Sequence, residues 1–321
     1  MRFHRGFLFW GLSLVTAGLV ALAIQLGYLD RTAMAASWRL WPLLLVALGT
    51  TLILLRTQIA LLGTALAAVV LGAAVGTAIA VAPGFAADCG DSPPATLQDH
   101  TGTLGASASL HWRLDCGSLD LTMGQGSSWR ASVGSTGNEA PTVDGASDHL
   151  DLDSANQGGG FFLDRNREHW VVQLPAATTY HAEVHINTSK AIMHLTGARF
   201  SALSLHPNAA DVLVALDGAG IEGFDVELNA GSLAIIASGS TALSGTIQTN
   251  AGSVKLCAPS GTGLRITASG TAFGTNLEDS GLARNGDTWE SASYAQADHR
   301  VALTVHGNAA SFDLNPAGGC R

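Results

Sequence analysis

Four segments, INTSKAIMHL (186–195), PNAADVLVAL (207–216), LNAGSLAIIA (228–237) and TNAGSVKLCA (249–258), place Asn187, Asn208, Asn229 and Asn250 at a constant spacing of 21 residues. Self-similarity at a fixed period is the strongest fold signal a sequence carries, because each copy is one structural unit that buries its apolar face against the next. Gly197, Gly218 and Gly239 follow the first three asparagines by ten residues, and looser copies surround Asp115 (LDCGSLDL) and Asn308 (GNAASFDL). Six rungs are expected.

Within each copy apolar residues alternate, as strands require and helices do not allow. Val184 and Ile186, Leu203 and Leu205, Phe224, Val226 and Leu228, then Ile247 make one inward set. Met193, Val214, Ile235 and Leu256, with Val212, Leu233 and Val254, make the other. Asparagine tolerates left-handed backbone at a tight corner and offers an amide to the next rung, and glycine suits positive φ at the other corner. The expected fold is an all-β, single-stranded β-solenoid rising about 4.8 Å per rung. Residues 134–168 and 270–300 break the rhythm and read as insertions.

Upstream the composition changes. Of 321 residues, 47% are hydrophobic and 13% charged, and residues 1–87 contain only Arg2, Arg5, Asp30, Arg31, Arg39 and Arg56 as charged side chains. Apolar runs at about 6–29, 40–55 and 59–82 predict three membrane helices, with membrane lipid as surroundings. Domains are therefore drawn at 1–87 and 88–321. Arg2, Arg5 and Arg56 fall on one side and Arg31 and Arg39 on the other; no basic residue follows Ala82 until Arg113. That distribution predicts a multi-pass membrane protein whose C-terminal domain lies outside the cytoplasm. The first run is too long for a cleaved signal peptide, and Asp88 before Cys89 spoils a lipidation site.

Charge divides along the same boundary. The chain's −9 is +4 over residues 1–87 and −13 beyond them. An acidic domain excludes a basic nucleic-acid footprint and disfavours adhesion to anionic polymers. Cys89, Cys116, Cys257 and Cys320 all follow the apolar region, where an oxidising compartment and an even count predict two disulfides. Three connectivities are open; a solenoid holds its ends apart, which favours Cys89–Cys116 and Cys257–Cys320 over pairings between the ends.

Catalytic motifs are missing: there is no HExxH, GxSxG, Walker loop or dinucleotide fingerprint. His181, Glu183 and His185 share one strand face, with His206 a period later, and stacked rungs extend the row His185, His206, Glu227, Gln248. It is the constellation to test for metal, but an extended ladder does not converge as zinc ligands do, so a solvated polar face with some pH sensitivity is expected. Asp144, Asp148, Asp151 and Asp153 lack the calcium-loop pattern and read as an acidic solvated loop. No cofactor or metal is expected.

The segments GFLFWGLSLVTAGLV and WRLWPLLLVALGTTLILL, within residues 6–55, resemble the transmembrane region of LiaI- and LiaF-type cell-envelope stress proteins. WVVQLPAATTYHAEVHINTSKAIMHLTGARFSALSLHPNAADVLVAL (170–216) and GLARNGDTWESASYAQADHRVALTVHGNAASFDL (281–314) are similar to the central rungs and the ending of the toast-rack domain of adhesins and LiaF-like proteins. This resemblance implies a non-enzymatic accessory sensor, regulator or scaffold in envelope stress, with a sensor kinase or envelope component as partner. LiaF-like proteins usually have four spans, where three are counted here. The alternatives are a membrane-anchored surface adhesin and a polysaccharide-acting enzyme using acids such as Asp225 and Glu227, which would need a separation of about 5–9.5 Å. Oligomeric state has no signature in the sequence.

Overall fold

A computed structural model of the chain describes residues 5–25, 68–73, 96–136, 139–155 and 167–320. Two compact units are present, Met1–Asp88 and Cys89–Arg321.

In the first unit, α1 (Arg5–Gln25) is helical, as are residues 68–73. Side chains of α1 are described only between residues 9 and 20, and among the described residues no helix is long and apolar enough to cross a membrane. The expectation of three spanning helices is not met among the described residues, which hold α1 and the short helical stretch 68–73; the run 40–55 lies outside the described residues. Apolarity decides which solvent a segment suits, not how many times it crosses. Where the two helical pieces meet, Gly72 lies so close to α1 that a Cβ there would stand 2.4 Å from the Ser13 carbonyl oxygen. A side chain is excluded because backbone occupies its space.

Among the described residues, the second unit forms a solenoid-like β-sheet of 19 strands. Its regular part runs through β2 (Ser107–Leu114), β3 (Gly117–Gly124), β8 (Thr179–Ile186), β9 (Ser189–His194), β10 (Arg199–Pro207), β11 (Ala210–Leu216), β12 (Gly220–Ala237) and β13 (Ala242–Cys257). Each coil uses one strand in each of two parallel ladders, and β12 and β13 run through the corner into both. The first ladder is β2–β8–β10–β12–β13 and the second β3–β9–β11–β12–β13. Every residue of both inward sets is buried, including Phe224, Val226, Met193, Val214, Ile235 and Leu256. β-Bulges on β10 near Ser201 and on β12 between Ile221 and Phe224 each absorb one extra residue, restoring a 21-residue offset before the inward positions.

At both ends spatial order departs from chain order. β18 (Arg300–Asn308) and β19 (Ala310–Leu314) insert between β13 and the earlier β14 (Gly263–Thr271) and β15 (Gly274–Thr275). At the other end β6 (His149–Asp153) and β7 (Glu168–Pro175) stack outside β2 and β3. The six expected rungs are thus consecutive neighbours, but one more coil lies beyond each end, built partly from residues read as insertions. Antiparallel strands close the ends: β1 (Gln98–Thr103) and β4 (Ser128–Ser135) beside β7, β5 (Thr142–Gly145) on β6, and β16 (Ala283–Asn285) and β17 (Thr288–Glu290) on β14. The 3-10 turn Leu277–Asp279 follows β15.

The corners assign roles differently from the sequence reading. Asn187, Asn208, Asn229 and Asn250 do not adopt positive φ; Ala209 (φ 53°) and Ala309 (φ 51°), each directly after a corner asparagine, do. The asparagines instead form a side-chain ladder. Asn208 Nδ2 donates to Asn187 Oδ1 (3.4 Å), Asn229 Nδ2 to Asn208 Oδ1 (2.8 Å) and Asn250 Nδ2 to Asn229 Oδ1 (2.8 Å). Asn187 Nδ2 ends the run on Asp115 Oδ1 at 2.7 Å. An ionised carboxylate only accepts, so Asp115 fixes the direction of every amide in the row. At the other corner Gly197 (φ 68°) and Gly218 (φ 66°) are left-handed, whereas Gly239 is not: the SGST turn there closes through Thr241, whose hydroxyl donates to the Leu216 carbonyl.

Candidate functional site: a histidine–carboxylate face

Outward residues of the first ladder form rows in which imidazoles and carboxylates meet. Alternation sends Leu110, Trp112, Val184 and Leu205 inward, and sends His111, Glu183, His185 and His206 out. Parallel register puts His185 opposite His206, with Glu227 next and Gln248 beyond it. Arg113 lies on the other side of His185, and Asp151 is opposite His111.

Four histidine–carboxylate pairs result. His111 Nδ1 is 3.1 Å from Asp151 Oδ1, and His185 Nε2 is 3.0 Å from Glu183 Oε1. His206 Nδ1 is 3.3 Å from Glu227 Oε2, and His149 Nδ1 is 3.0 Å from Asp148 Oδ1. Nε2 of His149 also faces Asp144 Oδ2 at 4.0 Å. The His185 and His206 rings stack, with centroids 4.6 Å apart and planes 14° from parallel. Donor atoms of Glu183, His185 and His206 all lie within 4.8 Å of one another. The expected flat ladder therefore converges at this point, because Glu183 reaches along its own strand to His185.

The pairs move proton affinities in the directions their contacts dictate. The hydrogen bond that His149 donates to Asp148 raises His149, and the same bond holds Asp148 below the ordinary carboxylate range. Glu183 is lowered, chiefly by its bond to His185 and further by the positive potential of His185, His206 and His111. The expected acidic loop is instead an antiparallel strand pair: Asp144 lies on β5, Asp151 and Asp153 on β6 and only Asp148 in the turn between, and Asp144, Asp148 and Asp151 partner histidines. His181 is outward on the same strand as Glu183 and paired in register with Ala202.

Sequence reading passed over two further features. Glu168 is buried at 2% exposure; its Oε1 accepts from the Ser154 hydroxyl (2.7 Å) and Ala155 N–H (2.8 Å), and its Oε2 from Trp170 Nε1 (3.0 Å). Burial outweighs these donors and pushes its carboxyl up to about 7. The only sequence hint was its place in alternation with Trp170. The second feature is a groove of about 620 Å³ along the first-ladder entry corner, lined in part by Arg199, Glu222, Ser244, Tyr294, Asp298 and Arg300. Arg265 lies 4.0 Å above the Tyr294 ring.

Cys257 and Cys320 are joined, with Cα atoms 6.0 Å apart. Cys116 is disulfide-bonded too, and the expected partner Cys89 lies outside the described residues.

The second unit is a coil-by-coil, solenoid-like β domain with a polar lattice along one ladder face. The N-terminal region of the chain gives a more particular likeness: residues 8–53 match the LiaI-LiaF-like transmembrane region, which marks the chain as membrane-associated. No curated protein sequence is similar to the chain. Among solved structures, a candidate cell adhesion protein from Clostridium sporogenes ATCC 15579 is similar at 14% identity and TM-score 0.45, over 68% of this chain and 99% of that one. A candidate adhesin from Bacteroides fragilis NCTC 9343 is similar at 11% identity and TM-score 0.28, over 70% and 100% of the respective chains. Neither likeness bears on function.

Proposed function

We propose that this is a non-enzymatic, LiaF-like bacterial membrane protein whose β-solenoid is exported and serves as an accessory sensor or scaffold in the envelope stress response. The carrying observation is the presence, in one chain, of a LiaI-LiaF-like transmembrane region and a solenoid-like domain with long ladder faces. Export is supported by the Cys257–Cys320 bond, which suits an oxidising compartment, and by the arginine distribution. The anchor is multi-pass on this reading, and the boundary between anchor and exported domain falls at residue 87. A sensor kinase of the same membrane is the partner of choice, since the acidic domain disfavours anionic envelope polymers.

The test is photo-crosslinking in intact membranes from outward positions such as Thr246 on the first ladder and Leu213 on the second. Capture of a sensor kinase, together with loss of signalling when residues 1–82 are exchanged for an unrelated anchor, supports regulation. Capture of glycans alone, with function surviving the exchange, replaces this reading with adhesion.

A further inference from the structure

We infer that Glu183, His185 and His206 form a binding site for one divalent transition-metal ion of the zinc class, with Glu227 orienting His206 from outside the coordination sphere. The inference does not depend on the signalling reading. Among the described residues this is the sole grouping of three such side chains whose donor atoms all lie within 4.8 Å. Zinc bonds to imidazole nitrogen and carboxylate oxygen at about 2.0–2.2 Å, which places tetrahedral donors about 3.4 Å apart. The longest edge must close by about 1.4 Å. Side chains supply that movement: those of Glu183, His185 and His206 are 47%, 38% and 28% exposed. Their backbones are pinned, Glu183 and His185 on one strand and His206 directly across the ladder.

Two details distinguish the cluster from an ordinary polar face. Stacked, nearly parallel rings bring two imidazoles to one side of the sheet at the spacing of a single rung. Glu227 holds the Nδ1 edge of His206, the arrangement in which a carboxylate fixes ring orientation and leaves Nε2 for the metal. A two-imidazole, one-carboxylate set suits zinc and its neighbours over calcium or magnesium, which prefer all-oxygen shells. Three protein donors leave a fourth position for water or for a group on a docked partner.

The experiment uses the full chain in detergent micelles, stripped with a chelator and titrated with Zn²⁺ against a fluorescent chelator at about pH 7.5, where unperturbed histidine is neutral. One ion per chain is expected, and His185→Ala and His206→Ala should each weaken binding by more than about tenfold. Glu227→Gln should weaken it about tenfold through orientation alone. Titration with Co²⁺ should give visible absorption in the wild type that both histidine variants lose. His306→Ala, on the same face three coils from His206, and His111→Ala should bind like wild type. His206→Gln repeats the test should the alanine variant fold poorly. Wild-type binding no tighter than that of a His185→Ala/His206→Ala double variant overturns the site, as does equal loss in His111→Ala or His306→Ala.

Discussion

Removing the Asn229 side chain breaks two contacts at once: its amide donates to Asn208 and its carbonyl accepts from Asn250, both at 2.8 Å. An intramolecular hydrogen bond contributes about 0.5–1.5 kcal/mol net, and these are solvent-exposed, so about 0.5–1 kcal/mol each is appropriate. Asn229→Ala should cost about 1–2 kcal/mol. Asn208→Ala should cost somewhat less, since its own donated bond, to Asn187, is 3.4 Å long. The double variant is more informative. Single substitutions count the shared 208–229 bond twice, whereas the pair loses it once, so the double falls short of additivity by about 0.5–1 kcal/mol. Asn187 and Asn250 stand three rungs apart and share neither a bond nor a partner, so their double variant should be additive within about 0.5 kcal/mol. Denaturant unfolding of the full chain, followed by fluorescence of the buried Trp112, Trp129, Trp170 and Trp289, measures all of these. Equal coupling in the two pairs, or none in the adjacent pair, would refute the ladder as a bonded row.

Three other outcomes are expected. Glu168 titrates near 7 when folded and near 4.5 when unfolded, so the folded chain holds its proton longer and stability falls as pH rises between those values. The span corresponds to about 3 kcal/mol, and Glu168→Gln should remove it from a comparison of unfolding at pH 4 and pH 8; an unchanged pH slope would rule out the buried carboxyl as its source. Gly245→Ala places a Cβ 1.8 Å from the Phe224 carbonyl oxygen, whereas at Gly220 nothing lies within 4 Å. Thermal melts should show a large loss for the first and almost none for the second, and similar melts would contradict the coil-to-coil register. Gly72→Val should lower the heat resistance of the solubilised chain by forcing residues 68–73 from Ser13, and unaltered aggregation on heating would argue against that close approach.

The 21-residue period made the central coils legible. Once Asn187, Asn208 and Asn229 were aligned, the burial of Val184, Leu205 and Val226 followed from alternation, and so did the row His185–His206–Glu227. The outer coils were hidden because β7 begins 15 residues after β6 ends and β14 precedes the strand that separates it from β13. Chain order carries no record of such an exchange. Ala209 and Ala309 were hidden differently: alanine does not advertise positive φ, and the surrounding sheet imposes it. Convergence of Glu183 on the two histidines was invisible because strand alternation gives the face of a side chain and not its reach along that face. The anchor was legible in its preference for lipid, and its crossings were not.

The proposed function requires the acidic domain to stand outside the cytoplasm. A reporter active only outside the cytoplasm, fused after residue 90 and expressed in intact cells, tests that placement. Strong reporter activity is the predicted result. A silent fusion, with a cytoplasm-active reporter at the same position giving signal, would contradict it.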